Sequence, residues 1–104
     1  MQAVLTIDRL PGAPIEAAAQ FHREYLQQAE HLLAGEVDAL AIVLPSAPTD
    51  HDDWRRTLAR DLARASKPKR VNVVGAASDD ARDALLSYLG DAPGVTGQYC
   101  PSHE

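Results

Sequence analysis

Two apolar runs of strand length, residues 37–44 and 71–75, limit what this chain can fold into more than any other feature. Neither alternates with polar residues, so neither reads as a strand with one face in water. Strands covered on both faces belong to parallel sheets flanked by helices. Pro45 and Pro48 end the first run, and Gly75 ends the second.

The rest of the chain fits around these runs. Residues 2–8 put Ala3, Leu5 and Ile7 on one side and Gln2, Thr6 and Asp8 on the other, with Val4 the exception. That pattern is a strand with one better-buried face. Pro11, Gly12 and Pro14 break it; Pro14 suits a first helical turn, with Glu16 favourable at the positive helix end. Ile15, Ala18, Ala19, His22, Tyr25, Leu26, Ala29, Leu32 and Leu33 then keep a spacing of three and four. They predict a long amphipathic helix over residues 14–33, ended by Gly35. Thr49 and Asp50 offer an N-cap to a second helix over residues 50–65, with Asp52 and Asp53 in its first turn. Trp54, Leu58, Leu62 and Ala65 form its inward stripe, Arg55, Arg56, Arg60 and Arg64 cover much of the remainder, and Pro68 closes it. Ser78 caps a third helix, with Ala81, Leu85, Tyr88 and Leu89 inside and Gly90 at its end. Residues 95–100 are expected as a short edge strand and residues 101–104 as a loose tail. Strand and helix thus alternate three times before a fourth strand closes the chain. The order β-α-β-α-β-α-β predicts one α/β domain with a mostly parallel four-stranded sheet, in two or three layers, with right-handed crossovers.

Charge and composition remove several classes of function. The 104 residues carry a net charge of −5, which does not draw phosphate backbones, so nucleic acid is not an expected partner. The basic cluster Lys67, Lys69 and Arg70 sits at a predicted helix end, where a dipole role suffices. No apolar run approaches the roughly 18 residues of a membrane span, and no charged start leads into an apolar run as in a signal peptide. A single cysteine, Cys100, allows neither an internal disulfide nor a cysteine zinc site, which makes a reducing cytoplasm the expected home.

Leu58-Ala59-Arg60-Asp61-Leu62-Ala63 runs through the basic joint into Arg70-Val71-Asn72-Val73-Val74, and Val95-Thr96-Gly97-Gln98 follows after a helical segment over residues 84–89. In order and spacing these pieces resemble the C-terminal part of the short-chain dehydrogenases/reductases. There a helix ending in L-A-x-E/D-L-A enters an I-R-V-N-x-V strand, and a V-T-G-Q strand comes later. The resemblance implies a Rossmann-like fold. It also says where the chemistry should sit, and there the chain departs from the pattern. A Gly-rich turn after the first strand should cradle the dinucleotide pyrophosphate, but Pro11-Gly12-Ala13-Pro14 lacks the repeated glycines and two backbone donors. The Tyr-x-x-x-Lys of the family, fourteen residues before Leu58, falls on Leu44 and Pro48, neither of which can move a proton. Ser46, near the place of the family's serine, lies between two prolines and reads as a loop residue. Gly75-Ala76-Ala77 replaces the family's P-G, and the D-G-G after V-T-G-Q is absent. No bound cofactor is therefore expected.

Outside that pattern few residues invite chemistry. His22, on the predicted inward stripe, is better read as a core or interface histidine than as a ligand contact. His31 sits at a negative helix end, where a cation is favourable. His51, Asp52 and Asp53 have metal-ligand types, but neighbouring positions on a helix diverge and the acids already suit a helix start. Cys100 and His103 have the residue types of a thiolate pair, yet a small hydrophobe is the plainer reading of the cysteine. Asn72, inside an apolar strand, must find hydrogen-bond partners, and a structural bond to an adjacent loop is expected. Asp79 and Asp80 beside Ser78 would repel phosphate.

These readings favour a non-catalytic, homodimeric interaction or accessory module. In the resembling family two helices on one face of the sheet pack against their copies, and here the helices over residues 14–33 and 50–65 take those places. His22, Tyr25, Leu26, Ala29, Leu33, Trp54, Leu58 and Leu62 are the expected interface residues. The alternatives are a small-ligand or NAD(P)-binding oxidoreductase-like subunit, and a heteromeric partner that completes a full-length reductase.

Overall fold

β2 (Ala39–Pro45) and β3 (Arg70–Ala76) form the centre of a four-stranded parallel sheet in the computed structural model, which describes residues 1–102. Residues 39–44 and 71–75 are all buried, as runs without a wet face require. β1 (Gln2–Thr6) pairs with β2, and β4 (Tyr99–Pro101) pairs with β3. The sheet therefore runs in chain order, and one cross-strand row reads Leu5, Ile42, Val73, Tyr99.

Alternation along the strands sorts side chains between two cores. Leu5, Leu40, Ile42, Leu44, Val71 and Val73 face α1 (Pro14–Gln20), α2 (Leu26–Leu33) and α3 (Asp52–Ala65). Val43 and Val74 face α4 (Asp79–Gly90), where Leu85, Leu86 and Leu89 cover them. The domain is thus three-layered. All three crossovers step the same way along the sheet, but the third passes over the opposite face, so its hand is opposite to the first two. The reversal covers Val43 and Val74, which three helices on one side would leave in water. Basic side chains close helix ends: Lys69 donates to the carbonyls of Leu33 and, at 2.8 Å, Gly35, while Arg70 donates to Leu89 and Ala92 at 2.9 and 3.1 Å. The expected dipole role therefore belongs to the ends of α2 and α4 rather than to the end of α3.

Several boundaries and faces differ from expectation. The helix over residues 14–33 is interrupted by a π-helical turn at Phe21–Tyr25. Its buried positions are Ala17, Phe21, Ala29 and Leu33, while Ile15 is 85% exposed and His22 is exposed. Ala17, Phe21, Tyr25, Ala29 and Leu33 recur every four residues. In a pure α-helix that spacing drifts by about 40° per step, and the wider π turn takes up the drift. In α4, Leu86 rather than Tyr88 packs inward; Tyr88 is 58% exposed. The last strand begins only at Tyr99. Pro101 belongs to it, and the Ser102 N–H donates to Gly75 O at 2.7 Å, so these two residues are held rather than loose. Among the described residues no helix is long and apolar enough to cross a membrane.

Candidate functional site

Ligands of parallel α/β sheets collect at the carboxyl ends of the strands. Here that edge is framed by the loop after β1, the loop after β2 and the start of α3. A short 3-10 turn, Thr49–His51, precedes α3, so neither Thr49 nor Asp50 caps it and His51 occupies the cap position without a side-chain cap bond. His51 is buried. Trp54 Nε1–H donates to its Nδ1 at 3.1 Å, and indole nitrogen is only a donor, so the ring proton lies on Nε2, which donates to Gly12 O at 2.8 Å. That pair ties the loop after β1 to the start of α3. Asp52 and Asp53 turn instead to Arg56, at 3.6 and 3.8 Å. Among the described residues no group of three His, Cys, Asp or Glu side chains could hold a metal.

Arg55 overturns its assignment to the solvated face of α3, being 1% exposed. Its Nη1 donates to Tyr99 Oη at 3.1 Å, and its guanidinium lies 5.4 Å from the Trp54 ring centre and 5.6 Å from that of Tyr99, within range of cation–π attraction. Its Nε has no hydrogen-bond partner. This cluster sits over Gly75: a Cβ there would lie 2.6 Å from Tyr99 Oη and 3.2 Å from Arg55 Nη1. Arg55, with Ser46, Asp8 and the loops around Pro11 and Pro45, lines a cavity of about 330 Å³. Leu44 is 1% exposed at the end of β2 and Pro48 lies in the following loop, so the places of the family's proton-transferring pair hold no titratable group.

A larger groove, about 600 Å³, lies on the outer side of the helical layer. Five expected interface residues meet there: His22 and Leu26 on one wall, Trp54, Leu58 and Leu62 on the other, with Glu30, Asp53, Thr57 and Asp61 beside them. Ala29 and Leu33 are buried in the core against the sheet, and Tyr25 is half-buried against the same core. The π turn rotates these positions inward and leaves His22 out, where its Nδ1 lies 2.7 Å from Ala18 O.

Asn72, 2% exposed, holds the loop before β4: its Nδ2 donates to Val95 O at 3.0 Å and its Oδ1 accepts from Gln98 N at 3.1 Å. Thr96 Oγ1 accepts from Val71 N at 3.0 Å beside it. The Val95-Thr96-Gly97-Gln98 segment is thus a loop stapled to β3, with Gly97 at φ +72°, a conformation open mainly to glycine. Cys100 is half-buried against the α4 face, and burial pushes its thiol pKa up; His103 lies outside the described residues. Because the thiolate is the reactive form, iodoacetamide should label the native protein at pH 7.5 about tenfold more slowly than the urea-unfolded chain. Equal rates in a mass-spectrometric time course would show an accessible thiol that burial does not perturb.

Arg55, Gly75 and Tyr99 carry no sequence signal of their special roles; Phe21 carries one in the period of four it shares with Ala17, Ala29 and Leu33, and Asn72 carries one as a polar residue within an apolar run. No curated protein and no solved structure matches the chain. Residues 5–102 match the family described as short chain dehydrogenase-like protein, nearly the whole parallel sheet and its helices, and the chain belongs to that SDR-like family.

Proposed function

We propose that this SDR-like chain is a non-catalytic accessory module that works as a homodimer, with the groove between α2 and α3 covered by the same groove of a second copy. The observation that carries the reading is the groove itself: half-buried Leu26 and Trp54 flank a floor of Leu58 and Leu62, which belong to the buried core, and the trough opens on the helical face. Apolar surface collected in one trough is the mark of an interaction site. In the resembling family helices on that face pair with their copies, which favours a second copy as occupant. The rim suits a two-fold arrangement, because α3 carries both signs. Asp53 and Asp61 lie beside Arg56 and Arg64, each 3.8 Å from its neighbour in the same helix. A self-complementary contact can set the acids of one copy against the arginines of the other. Absence of catalysis is supported by Leu44 and Pro48 at the positions where the family has its tyrosine and lysine.

Sedimentation at about 100 µM is expected to give twice the monomer mass of 11.2 kDa. Thr57 lines the trough and is exposed, so Thr57→Arg should weaken association about tenfold or more while leaving the circular dichroism unchanged. A wild-type chain that stays monomeric at that concentration ends this reading.

A further inference from the structure

Arg55 is a buried cation without an anion. Among the described residues the ion pairs of α3 and α4 go to Arg56, Arg64 and Arg82, and none goes to Arg55. Tyr99 Oη takes one of its five donors, the rings of Trp54 and Tyr99 face the guanidinium, and Nε is left with no acceptor. Neither a phenol nor an aromatic face neutralises charge, and a desolvated guanidinium lacking a counter-ion is among the costlier things a fold can keep. A second orphan lies at the same strand end: Ser102 Oγ is buried and unpartnered, and its backbone N–H is bonded to Gly75 O. Both unsatisfied groups are able to donate, and both belong to residues that meet Gly75. Of the two, Arg55 alone lines a cavity, and what is missing there is an acceptor.

We propose that the cavity lined by Arg55 binds a small organic anion, whose oxyanion group is taken by the Arg55 guanidinium. The fork of arginine donors matches the two oxygens of a carboxylate or phosphate. The cavity, about 330 Å³, opens between the loops after β1 and β2 and is walled partly by Leu10, Pro11 and Ala47, room for a short carbon skeleton behind the charged head. Asp8 on the same wall opposes a second negative charge and so favours a monocarboxylate over a phosphate. The proposal is independent of dimer formation, because this cavity lies at the strand ends and the trough lies between the helices.

The test is a nitrogen–proton NMR titration of the full chain with sodium butyrate and sodium phosphate, each against sodium chloride of equal ionic strength. Saturable shifts at Gly12, Ser46, Ala47 and the Arg55 Nε–H are expected, with half-saturation at about 1–10 mM. Arg55→Met should weaken binding about tenfold or more, and Arg55→Lys, which keeps the charge and loses the fork, should weaken it less. Circular dichroism and sedimentation of the same samples show that each variant is folded and in which oligomeric state. Saturation by butyrate alone identifies the carboxylate, and saturation by phosphate with equal affinity identifies the oxyanion as the whole of the recognition. Shifts that track ionic strength, or saturable shifts unchanged in Arg55→Met, overturn the proposal. Should Arg55→Met not fold, Arg55→Lys with unaltered butyrate affinity overturns it as well.

Discussion

Phe21→Ala is expected to remove about 3–5 kcal/mol of stability, the usual cost of emptying a buried aromatic site. Phe21 is fully buried, and its ring centre lies 5.6 Å from His22, 6.2 Å from Tyr25 and 6.2 Å from Trp54. It therefore joins the π turn to α3 and to the sheet at once. Truncation leaves a cavity where two connections meet, and the π turn has little freedom to collapse into it. Domains of this size hold only about 5–15 kcal/mol in total, so the variant should be partly unfolded at 37 °C. Urea titration should show a lowered midpoint with an unchanged slope. A loss below about 1 kcal/mol would mean that the ring does not hold the helical layer to the sheet. Phe21→Leu, which keeps most of the volume, should cost far less.

Gly75→Ala comes next in size, and its cause is different. The added methyl group would sit 2.6 Å from Tyr99 Oη, with Arg55 Nη1 at 3.2 Å. Arg55 is fully buried and has little room to retreat, and the half-buried Tyr99 can move away only by stretching its 3.1 Å hydrogen bond to Arg55. Overpacking of this kind costs about 1–3 kcal/mol, or roughly 5–20 °C in melting temperature for a domain of this length. Removing the offending oxygen should relieve it: in a Tyr99→Phe background the same substitution should cost about 1 kcal/mol less. Equal cost in both backgrounds would show that the Tyr99 hydroxyl is not what Gly75 makes room for.

The sheet was legible because residues 39–44, within the apolar run over residues 37–44, and residues 71–75 have no wet face, and only one kind of sheet accepts such strands. Asn72 was legible for a related reason, since an amide inside an apolar run has to reach a partner. The first helix was legible in extent but not in phase. Spacing by three and four selected Ile15, Ala18 and His22, while the buried set, Ala17, Phe21, Ala29 and Leu33, follows a stricter period of four. That period is visible in the chain, and an α-helix alone cannot keep it on one side. Arg55 was not legible. It sits in a stripe of arginines on α3, and what buries it is Tyr99, on a strand far along the chain. The reversed third crossover was hidden as well, because amphipathicity tells a helix to cover a sheet without saying which side.

Pairing in this sheet has a consequence for how the chain finds its shape. Gln2 meets Ala39, Ala39 meets Arg70, and Val73 meets Tyr99, so no strand touches one delivered by a tight bend. There is nothing to zip from a local start. Each ladder waits for a large ring to close, with its entropy spent beforehand, and refolding should be slow for so short a polypeptide. Until the last ring shuts, β3 keeps a bare margin, and crowded nascent chains would be most exposed to mispairing there.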